Sequence, residues 1–133
     1  MRFMKMVRSA ENRAGPPPKA LMDAIAKLGE DAAKAGVLVE MGGLQPTAMG
    51  AVLRLAGGEL RVTDGQFAEA KEVIGGYAVY SVKTKEEAIA WATRFMNLHK
   101  QHWPGWEGET ELRQLMEFGP RVGRAHGLPF QRA

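Results

Sequence analysis

Val62-Thr-Asp-Gly-Gln-Phe-Ala-Glu-Ala-Lys-Glu-Val-Ile-Gly-Gly-Tyr77 links two apolar, strand-like runs through a turn dipeptide, an acid-lysine-acid run and a Gly-Gly break. Asp64-Gly65 reads as the turn, because Asp tolerates the left-handed region and Gly enters it freely. Such a turn sets the Asp64 carboxylate at a sheet edge. Beyond the break, Tyr77 and Val79 alternate with Ala78, Tyr80 and Val82. A strand apolar on both faces needs cover on both sides. It is therefore the centre of the sheet, and the rest of the chain is arranged around it.

Working backwards, Leu60–Thr63 and Ala51–Leu55 flank Ala56-Gly-Gly-Glu59 and read as a hairpin. Val37–Met41 reads as a strand broken by Gly42-Gly43. Leu21, Ile25, Leu28, Ala32 and Ala35 recur at helical spacing. That helix begins after Pro16-Pro-Pro18 and stops at Gly36, a residue suited to a left-handed C-terminus. Gly29 inside it costs about 1 kcal/mol relative to Ala. Phe3–Val7 reads as the first strand, with Met4 and Met6 on one side and Phe3 and Val7 on the other.

Working forwards, Thr84-Lys-Glu-Glu87 fits a capping box. The helix it opens carries Ala88, Ala92, Phe95, Met96 and His99 on one face. His102–Gly108 ends it, and Glu111–Met116 alternates as a last strand. The order predicts an α+β fold, a ferredoxin-like βαββαβ plan with an inserted β-hairpin. Both helices then pack on one sheet face. The other face is expected to be bare and apolar around Tyr77–Val82, so a homodimer through the sheet face is expected.

The chain has 133 residues, 45% hydrophobic and 25% charged, which suits one soluble domain. We divide it into a domain over residues 1–118 and a basic C-terminal tail over 119–133, with Arg121, Arg124 and Arg132. Cysteine is absent, so neither disulfides nor thiolate chemistry are available. Neither a signal-peptide core nor a run of ~20 apolar residues is evident, and a cytoplasmic location with no membrane partner is expected. A formal charge of +3 is too small to indicate nucleic acid, which is not expected as a partner.

Asp64-Gly65-Gln66-Phe67, its acid-lysine-acid sequel and the upstream Gly43-Leu44-Gln45-Pro46 resemble the signature of the YCII-related (DGPF-motif) family, with Gln66 where that family usually has proline. The resemblance runs from about Arg2 to Phe118. It implies a dimeric α/β barrel. It also implies a cleft beside the sheet where an Asp works with a His, although no histidine stands near the end of the first strand here. Similar superfamily members resemble muconolactone isomerases and chloro-lactone dehalogenases, which use no organic cofactor.

The expected function is binding of a small metabolite in a cleft near Asp64, with acid-base chemistry of isomerase or lyase type and no cofactor. The alternative is a non-catalytic regulatory or binding module associated with transcription, since family members accompany sigma-factor-like regulators. Asp64 is the candidate catalytic residue, against a plain Asx turn. Phe67, Lys71, Glu72 and Tyr77 are the candidate ligand-binding residues. Glu69 reads as a solvated edge charge. His99 and His102 share a helix face but lack further defined ligands, so no metal is expected, and His99 also continues the apolar stripe. Trp103 and Trp106 either cover a pocket, sit at the dimer edge or cap the open end of the core.

Overall fold

The computed structural model describes residues 1–11, 15–65 and 72–117. Six strands and two helices follow in the order β1 (Arg2–Ser9), α1 (Lys19–Lys34), β2 (Leu38–Gly43), β3 (Ala51–Ala56), β4 (Glu59–Asp64), β5 (Val73–Ser81), α2 (Lys85–His102) and β6 (Glu109–Gln114). Four strands form one antiparallel sheet in the order β2-β5-β1-β6, and β3 and β4 pair as a separate hairpin. This is the ferredoxin-like α+β plan with its added hairpin.

The helix ends follow local chemistry. Gly36 takes φ +74°, and the amides of Gly36 and Val37 donate to the carbonyls of Ala33 and Ala32. This double closure satisfies two carbonyls that the helix leaves open. At the start of α2, Thr84 Oγ1 accepts from the Glu87 amide at 3.1 Å, and Glu87 Oε1 accepts from the Lys83 amide at 3.0 Å. The reach back falls one residue earlier than in the standard box. Gly29 has a structural reason: a Cβ there would lie 2.7 Å from Met41 Sδ, so the missing side chain lets α1 settle on β2.

Several boundaries differ from the sequence reading. The Gly75-Gly76 break lies inside β5, and Gly42-Gly43 lies inside β2. The glycines meet: Gly43 is the register partner of Gly76, and a Cβ on Gly76 would come within 3.3 Å of the Gly42 carbonyl. Close approach of two backbones, rather than a chain break, is what these glycines serve. A register shift between Val7 and Arg8 absorbs the irregularity opposite them. The last strand starts at Glu109, two residues earlier than its alternation indicates.

Phe3, Lys5 and Val7 of β1 face the helices, opposite Tyr80, Ala78 and Gly76 of β5. Phe3, Val37, Ala78, Tyr80, Val82 and Ala88 form one core cluster, and Val7, Leu28 and Phe95 form a second. On the other face lie half-buried Met4, Met6 and Tyr77 with buried Val79. Charge flanks this patch: Arg8 pairs with Glu109 and Glu111 at 2.8 Å, and Arg113 pairs with Glu111 at 3.1 Å. The face expected to be apolar is thus an apolar centre with a charged border on the β6 side.

Candidate functional site

Between the helices and one end of the sheet lies an open cleft of about 1520 Å³. Gly43 and Gly76 line it without side chains, paired in register with each other and, through Gly76, with Val7. Leu21, Met22 and Ile25 of α1 form one wall, and Phe95 and His99 of α2 form another. Trp103 and Trp106 stand at the connection after α2, with ring centroids 6.0 Å apart. Both line the cleft, and Trp106 also packs on the second core cluster.

Lys5 also lines this cleft, and only 4% of it is exposed. Among the described residues no carboxylate forms an ion pair with it. Its Nζ lies 3.0 Å from the centroid of the Phe95 ring and 5.9 Å from that of Tyr80. Aromatic faces attract an ammonium but do not replace its hydration. Burial therefore pushes the Lys5 amine down to about 7. Burial likewise pushes the Tyr80 phenol up to about 12, so that hydroxyl stays protonated.

His99 completes the arrangement. It is buried, its Nδ1 lies 3.1 Å from the Phe95 carbonyl, and its ring sits 4.6 Å from Phe95 and 4.5 Å from Trp106. The carbonyl accepts, so the bond assigns the neutral-ring proton to Nδ1 and leaves Nε2 as the basic nitrogen. Burial lowers the His99 pKa; the carbonyl bond opposes this, and the Lys5 charge adds to it. Lys5, with its pKa brought down to about 7, and His99, with its pKa lowered by burial, thus share the Phe95 ring in an aromatic cleft. Such groups are suited to taking and returning protons near neutrality.

The residues singled out in the sequence are distributed unevenly. Glu72 and Tyr77 are among those that line the cleft. Glu72 is exposed, and the Tyr77 hydroxyl donates to Glu40 Oε2 at 2.6 Å on the opposite sheet face. Asp64 ends β4 opposite Ala51, is exposed, and does not line this cleft. Gly65 after it takes φ +91°, and its amide donates to the Gly50 carbonyl at 2.8 Å, which extends the pairing of the hairpin. Phe67, Glu69 and Lys71 lie outside the described residues. His102 is half-exposed at the end of α2, and among the described residues no three His, Asp or Glu side chains gather as metal ligands would.

Lys5 is the residue the sequence reading passed over. Its signal was present, because period-2 alternation puts residue 5 on the same face as Phe3 and Val7. A second carboxylate feature sits at the rim. Glu11 accepts from the Thr47 amide at 2.6 Å and the Thr47 hydroxyl at 2.7 Å. These bonds hold its pKa below the usual carboxylate range and tie the β1–α1 connection to the short helical turn Thr47–Met49.

The YCII-related domain model matches residues 1–118, and the chain belongs to that family. An uncharacterized protein of Rhizobium meliloti (strain 1021) is 33% identical over 87 residues, which cover 65% of this chain. The matched stretch spans 66% of that relative, just under two thirds of its length. No helix among the described residues is long and apolar enough to cross a membrane.

Proposed function

We propose that the protein binds a small, mostly apolar metabolite bearing one carbonyl or phenolic oxygen in the cleft above Lys5, and moves a proton on it. The observation that carries this reading is the Lys5 amine, 4% exposed and unpaired among the described carboxylates, on the cleft floor beside His99. A lysine removed from water in an apolar site is shifted toward its neutral, reactive form. The aromatic and aliphatic walls suit a flat apolar body. The chemistry is acid-base work of the isomerase or lyase type, worth roughly 10²–10⁴-fold in rate for one positioned group. In this reading the cleft depends on Lys5 and His99, and Asp64 acts as a turn residue.

The test is a thermal-shift screen of lactones, phenols and small carbonyl compounds on the wild type, Lys5→Met and Asp64→Asn. A ligand at 100 times its Kd should stabilise by about 2.7 kcal/mol. A hit lost in Lys5→Met and kept in Asp64→Asn supports the reading. A hit kept in Lys5→Met and lost in Asp64→Asn contradicts it and returns the site to the hairpin.

We further propose that two copies associate, closing the α/β barrel expected of the family. The supporting observation lies in the hairpin. Leu53 stands opposite Val62 and Leu55 opposite Leu60, all on one face, and they are 59–72% exposed. With half-buried Met4, Met6 and Tyr77 on the open sheet face, this is more apolar surface than one protomer has reason to leave wet. The same hairpin would serve the alternative of a non-catalytic regulatory module, by docking a transcription component. Light scattering decides between them: a dimer supports self-association, and a monomer that captures a sigma-like partner supports the module.

A further inference from the structure

The cleft contains a nucleophile in a setting that suits more than proton transfer. We propose that Lys5 forms a covalent imine with the carbonyl carbon of its ligand, so that the substrate class is an aldehyde or ketone with an apolar or aromatic body. This rests on the reading of the cleft above and deepens it.

The geometry is the main support. Lys5 lines the cleft together with Phe95, whose ring holds its Nζ at 3.0 Å from the centroid, and no described carboxylate keeps the amine charged. Four acids also line the cleft: Glu11, Glu72, Glu107 and Glu109. Glu109 pairs with Arg8, and Glu11 is taken up by Thr47. An acidic lining disfavours an anionic ligand and is indifferent to a neutral carbonyl compound. His99, with Nδ1 on the Phe95 carbonyl, retains Nε2 for the protons that the step must move.

The step balances without a further reactant. The Lys5 amine lone pair attacks the carbonyl carbon, the C=O π pair moves to oxygen, and one proton passes from nitrogen to oxygen. This gives a carbinolamine. Loss of the hydroxyl as water, with a second proton supplied from the site, forms the C=N bond and a protonated imine. The imine then acidifies the neighbouring C–H, which is how a covalent lysine promotes isomerisation or elimination.

An amine near 7 is mostly neutral at pH 7.5, whereas an ordinary lysine near 10.4 is about one part in a thousand neutral, a ratio of several hundred-fold. That ratio sets the scale of selectivity to look for. The probes are benzaldehyde and phenylacetone, each incubated with the full chain and sodium cyanoborohydride at pH 7.5, followed by peptide mass mapping. Lys19, Lys27 and Lys100 are exposed internal controls.

The expected result is reductive alkylation of Lys5 at least tenfold over these controls, absent in Lys5→Met. Lys5→Arg keeps a cation in place but forms no imine, and should also stay unlabelled. A thermal shift by the probes that depends on Lys5, without a reduced adduct on it, overturns the covalent step and leaves the cleft reading standing. Neither shift nor selective adduct with any carbonyl probe overturns both. Equal labelling of Lys5 and Lys100 also overturns the proposal.

Discussion

Lys5 Nζ stands 3.0 Å from the centroid of Phe95, the ring that also carries His99 at 4.6 Å. β1 supplies the amine and α2 supplies both rings. The sheet and the helix layer therefore meet at this point through an amine rather than an aliphatic side chain. An ordinary core would place Leu or Met here. The charge is thus a cost to folding, and several outcomes follow from that cost.

Lys5→Met should stabilise the protein at neutral pH. The folded pKa is about 7, below the unfolded value near 10.4, so between these pH values the unfolded chain binds more protons. Wild-type stability should therefore rise with pH across that window. The variant, lacking the group, should gain on the order of 2–4 kcal/mol at pH 7, allowing for the lost ring contact. The gain should vanish above about pH 10.5. Urea melts of both proteins at pH 7, 8.5 and 10 measure it; equal stability at all three contradicts the burial argument.

Acid should act through His99. Its folded pKa is depressed by burial, so its contribution is complete above about 6.5 and is lost as pH falls through the lower folded value. His99→Ala also removes the rings' common neighbour and should cost about 2–3 kcal/mol at pH 7. The slope of stability between pH 6.5 and 5 should be shallower in His99→Ala than in wild type. Melting curves across that range supply the comparison.

Gly108 positions the Trp106 wall. A Cβ there would overlap the Trp106 indole and approach the Arg8 carbonyl to 2.7 Å, a backbone atom that cannot step aside. Gly108→Ala should lower stability by about 1–3 kcal/mol. It should also separate Trp106 from His99, raising the accessibility of the indole. Acrylamide quenching of tryptophan fluorescence is the readout, with stronger quenching expected in the variant.

The hairpin should govern self-association without governing the fold. Leu55 and Leu60 are 72% and 64% exposed. Replacing both with serine should change protomer stability by under about 0.5 kcal/mol per site. The proposed dimer should dissociate at micromolar concentration, as read by light scattering. An unchanged mass would remove the hairpin from the interface.

The fold was open to sequence reading because its signals are local. The capping box at Thr84, the Gly36 stop and the two-faced apolarity of Tyr77–Val82 each have one dominant physical reading. The Gly-Gly pairs were misread because one strand cannot reveal its partner: only the pairing of Gly43 with Gly76 shows that backbone approach is the reason. The site was harder for the same reason. Asp64 and its turn are conspicuous in the chain, whereas Lys5 matters only once α2 lays Phe95 and His99 over it. Alternation in β1 already placed residue 5 toward the helices. What it could not give was that none of the described carboxylates pairs with that residue, which depends on contacts far apart in sequence.

The most direct test of the account is the titration of the Lys5 ammonium itself, followed by NMR on lysine-labelled protein with Lys5→Met to assign the resonance. The account requires a midpoint near 7, well separated from the other lysines. A midpoint near 10.4, the ordinary lysine value, would mean that the amine is solvated or paired, and would contradict both the cleft and the chemistry built on it.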